Sequence, residues 1–208
     1  MARRVPRHIG FIPDGNRRWA DARGLPRHAG YDAGIEPGLR LLARCEELGV
    51  EEVSAYAFTK ENVRRPGPQV QAFRDASSAF ALTAVEAGAA LLVVGDAESR
   101  VFPDALRPFT ERRGPGRIRF NLLVNYSWRW DVTPGPTRRG TLPLRSAGVT
   151  PIDLVVRWGG RQRLSGFLPI QCAYADFAFS DTLWPDMRTS ELGDALSWYR
   201  TQDVTRGG

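Results

Sequence analysis

The chain has 208 residues, 42% of them hydrophobic, which suits one ordinary domain around a single core. Its two cysteines, Cys45 and Cys172, lie far apart and without metal-ligand partners nearby; this argues against a disulfide framework and reads as buried thiols of a reducing cytoplasm. No apolar run approaches the ~20 residues of a membrane span, and the basic start lacks the apolar stretch of a signal peptide.

The net charge is +6, and Lys60 is the only lysine among 29 basic residues. The arginine bias, with abundant Ala, Gly and Pro, suggests a GC-rich bacterial genome. Because the arginines are scattered rather than laid along one helix face, they do not make a nucleic-acid footprint, and a basic surface suits acidic substrates instead.

Short apolar runs alternate with amphipathic stretches, the pattern of an α/β protein with a mainly parallel sheet. Strands are predicted at 8–12, 52–57, 90–94, 118–124 and 153–157, with a late one near 177–179. Helices are predicted at 16–22, 33–48, 69–87, 102–112, 166–173 and 190–202. Gly49 and Gly88 fall where helix C-caps are expected. Residues 132–151, rich in Pro, Gly, Thr and Arg, read as an irregular loop inside a single domain covering 1–208.

Two segments carry the chemistry. The first strand ends in Pro13, and Asp14, Gly15, Asn16, Arg17, Arg18 and Trp19 follow at the start of a helix. Alone, Asp14-Gly15-Asn16 would serve as a turn and an N-cap. After a buried strand and beside two arginines, it places a carboxylate, uncovered helix amides and guanidiniums together, a site for a diphosphate with its divalent cation. The second segment runs from Asp153 through Arg157, Gly159, Gly160, Arg161, Gln162 and Arg163 to Ser165. Arg157, Arg163 and Ser165 can converge on one anion, because the planar guanidinium fork matches phosphate oxygens and two glycines let the backbone approach.

These segments resemble signatures of the cis-prenyltransferases, the family of undecaprenyl diphosphate synthase. Further stretches stand in family order. Tyr56 to Asn62, with Arg65 beyond, is similar to a Phe-Ser-x-Glu-Asn-Trp segment. Asn125 to Asp131 resembles Asn-Tyr-Gly-Gly-Arg-Trp-Asp, with Ser127 and Trp128 in place of the glycines; Arg129 and Asp131 are expected to tie loops together. Tyr174 to Asp176 and Leu183 to Pro185 resemble Tyr-Ala-Glu and Leu-Trp-Pro, and Arg206 to Gly208 a C-terminal Arg-x-Gly element that reaches across a dimer interface.

The resemblance implies a homodimeric, Mg2+-dependent prenyltransferase acting on allylic and small isoprenoid diphosphates. Asp14 and Asp176 would hold metal. Gly15, Arg17, Arg18 and Arg27 would hold the first diphosphate, and Arg157, Arg163 and Ser165 the second; Trp19, Thr59 and Arg65 would also bind substrate, the Thr59 segment lining the floor between the two. Asn16 and Asn62 would orient reacting carbons or the departing proton. Tyr31 stands where the family carries a histidine, a candidate for proton transfer. At Arg161-Gln162 a cation replaces the family's Glu-His, and Val63 lacks the expected aromatic character.

The short chain, with Phe73 and Phe80 on a tunnel-wall helix, suggests a short product. Together these departures imply the branch that joins two allylic units head-to-middle into lavandulyl-type skeletons for specialised metabolism, as in some actinobacteria. Ordinary head-to-tail synthesis with isopentenyl diphosphate, or a non-catalytic partner subunit, are the alternatives.

Overall fold

The computed structural model describes residues 5–133 and 144–202. The C-terminal element at Arg206 and the middle of the 132–151 loop lie outside the described residues.

Six parallel strands form one sheet: β1 (His8–Ile12), β2 (Glu52–Tyr56), β3 (Ala90–Val94), β4 (Arg119–Leu123), β5 (Leu154–Arg157) and β6 (Asp176–Phe179), in the order β3-β4-β2-β1-β5-β6. β1, β2 and β5 are buried throughout; β1 and β5 read as largely apolar runs, whereas β2 carries Glu52 and Ser54, which accept from Asn121 Nδ2 inside the sheet. The helices are α1 (Asn16–Asp21), α2 (Ala29–Ala33), α3 (Ile35–Glu47), α4 (Gly67–Glu86), α5 (Trp128–Asp131) and α6 (Thr189–Tyr199). α3 and α4 lay Leu41, Leu42, Ala81 and Ala84 on a core with Phe11, Val53, Leu91 and Phe120 from the sheet.

Proline and glycine account for the departures from the sequence reading. The predicted helix 33–48 is α3, which starts at Ile35; α2 precedes it as a separate turn ending at Gly34, where the indole N–H of Trp184 donates to the Gly34 carbonyl at 2.8 Å. Residues 102–112 form a 3-10 turn, Asp104–Thr110, because Pro108 lacks the amide that an α-helix would use. The segment 166–173 is a set of turns: Pro169 disfavours α-helical geometry at Leu168, which sits at φ +37°, beside Gly166 at φ +76°. Gly49 and Gly88, after α3 and α4, have the positive φ expected of helix ends.

The topology fixes where a ligand can sit. From β1 the chain departs towards β2, whereas β5 continues to β6 on the other side. The crevice beyond the carboxyl ends of β1 and β5 is therefore the topological switch point of the sheet, where open α/β folds bind ligands.

Candidate active site

A cleft of about 760 Å³ opens at that switch point. Arg157, the last residue of β5, is only 4% exposed, and its Nη2 donates to Asp14 Oδ2 at 2.6 Å. Its Nη1 donates to Ser165 Oγ at 2.9 Å and to the carbonyl of Arg163. Arg157 Nε is buried with no partner, as is Asn16 Oδ1. Such a group costs about 1–3 kcal/mol when nothing satisfies it, so both point to a ligand.

Arg18 stitches the two chemical loops together. Its Nη2 donates to the Gly159 carbonyl at 2.7 Å and lies 3.5 Å from Asp14 Oδ1. Gly159 has φ +84°, and a Cβ there would stand 2.8 Å from both Arg18 Nη2 and the Asp14 carbonyl, so this close passage needs glycine. From beneath, the Trp184 amide donates to the Asp14 carbonyl at 3.0 Å, and the amides of Gly159 and Gly160 to the carbonyls of Thr182 and Ser180. The Ser180–Trp184 segment is thus a brace for both loops.

Seven arginines line the cleft, at 17, 18, 27, 65, 157, 161 and 163, against the carboxylates of Asp14, Asp21 and Glu61. Some are paired: Arg27 Nε donates to Asp21 Oδ1 at 2.9 Å. Arg65 Nη1 donates to Tyr31 Oη at 2.9 Å, and burial, with the charge of Arg17 adding to it, lowers the Arg65 pKa from its ordinary value. Such an excess of guanidinium charge in a partly enclosed cleft selects a polyanion. Thr59 and Asn62 form a reciprocal cap of a 3-10 turn on the opposite wall, with the Thr59 amide donating to Asn62 Oδ1 at 3.1 Å.

At its inner end the cleft meets an apolar pocket. Pro13, Asn16, Tyr31, Tyr56, Ala57 and Phe73 line both. The Tyr31 ring stacks on Phe73 at 4.4 Å. Phe80 also lines it, packed edge-on against Phe120 at 5.3 Å and against Gly38. The pocket has a volume of about 60 Å³, roughly four to six times what one water needs. An arginine-rich cleft therefore adjoins a small, largely apolar pocket.

The structure brings Asp14, Gly15, Asn16, Arg17, Arg18, Arg27 and Tyr31 into the cleft wall, and with them Thr59, Asn62, Arg65, Arg157, Arg163 and Ser165. Two of the expected residues are not brought there. The Trp19 indole N–H instead donates to Asp186 Oδ1 at 2.7 Å, under the Arg23 guanidinium. Asp176 opens β6 level with Leu154, at the amino end of the sheet, about 10 Å along the strand from Arg157. It is not among the residues that line the cleft. The Arg129 guanidinium lies over Trp128. Asp131 is buried, accepting from Tyr126 Oη and Ser146 Oγ, each at 2.8 Å.

Phe73 and Phe80 do stand inside the apolar pocket. Sequence reasoning missed the cleft roles of Trp128, Tyr56 and Glu61; the replacement of a motif glycine by Trp128 was the available signal.

A family model described as "Putative undecaprenyl diphosphate synthase" matches residues 12–207. The chain belongs to the undecaprenyl diphosphate synthase family. An isoprenyl transferase of Nitrosomonas europaea is 34% identical over 96% of this chain and 84% of its own. The ditrans,polycis-undecaprenyl-diphosphate synthase ((2E,6E)-farnesyl-diphosphate specific) of Pseudomonas aeruginosa is 35% identical over 93% and 87%.

A crystal structure of lavandulyl diphosphate synthase from Lavandula x intermedia, in complex with dimethylallyl diphosphate, shares the fold. Its TM-score is 0.84 at 24% identity, over 98% of both chains. As a member of this family the chain is a prenyltransferase, a prenyl diphosphate synthase. No helix among the described residues is long and apolar enough to cross a membrane.

Proposed function

We propose that this family member condenses two short prenyl diphosphates, and that it couples them head-to-middle. The carrying observation is the pair of adjoining pockets: a cleft of seven arginines meets a mostly apolar pocket of about 60 Å³ that Phe73 and Phe80 line. In this reading the apolar pocket receives one short prenyl tail, and the Phe73 and Phe80 rings limit its length.

In this reading the allylic substrate lies with its diphosphate beside Asp14, Arg17, Arg18 and Arg27 and its tail in the chamber. Its C–O bond breaks, and guanidiniums neutralise the departing diphosphate. The double bond of the second substrate, anchored by Arg157, Arg163 and Ser165, attacks the allylic carbon. A proton then passes to an oxygen of the released diphosphate, while Asn16 and Tyr31, which line both cleft and chamber, orient the reacting groups.

The donor set fits Mg2+, which takes one or two carboxylates and completes its shell with substrate phosphates and water. Asp14 would hold it, and the ion would supply positive charge to the diphosphate. Head-to-middle coupling is favoured by Arg161, a cation in the second anion loop that suits an acceptor seated differently from isopentenyl diphosphate. A homodimer also belongs to this reading: β6 leaves an open sheet edge beside exposed Tyr174, Ile170 and Phe179. Light scattering should then give about twice 23.1 kDa.

Dimethylallyl, geranyl and farnesyl diphosphates, supplied with Mg2+ and with or without isopentenyl diphosphate, test the size limit by chromatography and mass spectrometry of the dephosphorylated alcohols. Ten- to fifteen-carbon products are expected from the dimethylallyl and geranyl substrates. A ladder of long polyprenols on addition of isopentenyl diphosphate would overturn the reading.

A further inference from the structure

Trp128 is the unexplained group of the cleft. It opens α5, is 43% exposed and lines the cleft between the Thr59–Asn62 turn and the Ser165–Gly166 loop. The other apolar cleft residues are already accounted for. Pro13, Tyr31, Tyr56, Ala57 and Phe73 also line the inner chamber, while Ile12 is buried in the core beneath. Trp128 alone among them is exposed, and it lies against the second anion loop.

Its position is set by that loop. Gly166 sits at φ +76°, and a Cβ on it would come within 2.9 Å of the indole Cδ1, so the glycine lets the indole press on the backbone next to Ser165. Arg129 holds the ring from its own side, its guanidinium 5.2 Å from the ring centroid. Next door, Ser165 itself has φ +54°, a strained conformation for a side-chain-bearing residue, and its Oγ accepts from Arg157. An apolar face is therefore held beside an anion-binding loop, whose Ser165 carbonyl accepts from the phenol of Tyr56, a residue that also lines the inner pocket.

We infer that Trp128 is a specificity-determining residue of the second subsite, its indole face receiving the carbon skeleton of a small alkene-bearing prenyl diphosphate whose diphosphate lies on Arg157, Arg163 and Ser165. The inference rests on the proposed prenyl transfer. It adds the surface that distinguishes a prenyl diphosphate from bare diphosphate at that loop. A five-carbon skeleton covers part of one indole face, which corresponds to about a tenfold change in affinity.

The test uses the full chain with Trp128→Ala and Trp128→Phe. With the allylic donor saturating, the Ala variant should raise KM for the second substrate about tenfold and leave kcat and the donor KM within twofold. Phe should restore most of the loss. Calorimetry with dimethylallyl thiolodiphosphate and with inorganic diphosphate gives a readout that needs no turnover. Wild type should prefer the prenyl compound, and the Ala variant should lose that preference while binding inorganic diphosphate as before. If both variants keep the wild-type KM and the wild-type preference, the role of Trp128 is refuted. Equal weakening of prenyl and inorganic diphosphate would also refute it, by showing a structural role for the loop. If wild type turns over no prenyl diphosphate pair, prenyl transfer fails, and the calorimetric preference still decides for or against Trp128.

Discussion

Replacing Arg157 by Met tests the centre of the cleft, because one buried guanidinium serves both chemical loops. Met keeps the hydrocarbon bulk and removes the donors to Asp14, Ser165 and the Arg163 carbonyl. Breaking a fully buried pair costs about 3–5 kcal/mol. The Asp14 side chain is 33% exposed and regains water, which puts the loss near the low end, at ~3 kcal/mol. For a domain of this size that lowers Tm by about 6–12 °C.

Catalysis should suffer more selectively. Without the fork that grips the second diphosphate, kcat/KM for the second substrate should fall about 10²–10³-fold, the scale of one lost preorganised donor. The donor KM should move much less. Arg157→Lys, which keeps the charge and loses the fork, should fall between Met and wild type. Differential scanning fluorimetry reads the first effect, and initial rates with each substrate varied in turn read the second. A variant within threefold of wild type in kcat/KM for the second substrate would refute the assignment of Arg157 to that diphosphate.

Three further outcomes are expected. Asp14→Asn keeps a partner for Arg157 but weakens the cation site, so turnover should drop at least about a hundredfold and extra Mg2+ should not restore it; full rescue by Mg2+ would count against a metal role. Phe80→Ala removes a ring that lines the chamber, and mass spectrometry should show a product longer by at least one isoprene unit. An unchanged product would mean that another group sets the length.

Stability should also depend on pH through His8. This residue is buried in β1, with Nε2 2.8 Å from Ser54 Oγ and Nδ1 3.0 Å from the Thr150 carbonyl, and burial lowers its pKa below the ordinary 6.5. The unfolded chain therefore takes up a proton where the folded one does not. The contribution is complete above about pH 6.5 and is lost as pH falls through that value towards the folded pKa. Urea unfolding of His8→Asn at pH 7.5 and pH 5.5 should show a shallower pH slope than wild type; an equal slope would rule His8 out.

Much of the architecture was legible because it rests on local chemistry. The buried strands β1 and β5 announce themselves as apolar runs, and a loop carrying Asp14 or Arg157 directly after such a run must emerge at the carboxyl edge of the sheet. That β1 and β5 are neighbours is a long-range fact, and it turns two separate motifs into one cleft joined by the Asp14–Arg157 pair. Asp176 shows the opposite case. Its segment matched a motif, but the register of β6 against β5 pairs Asp176 with Leu154 rather than with Arg157, and register is decided by pairing partners rather than by the motif. Trp19 failed for a similar reason, since its partner Asp186 lies 167 residues away in sequence. The lining of the inner chamber depends on Phe80 meeting Phe120 and Gly38, three elements that no sequence window contains.

The most direct measurement is to incubate the protein and Mg2+ with dimethylallyl diphosphate, alone and with geranyl diphosphate, and to identify the alcohols after dephosphorylation. Branched alcohols formed without isopentenyl diphosphate are the predicted result. Linear cis products that appear only when isopentenyl diphosphate is added would contradict head-to-middle coupling and leave a head-to-tail short-chain synthase.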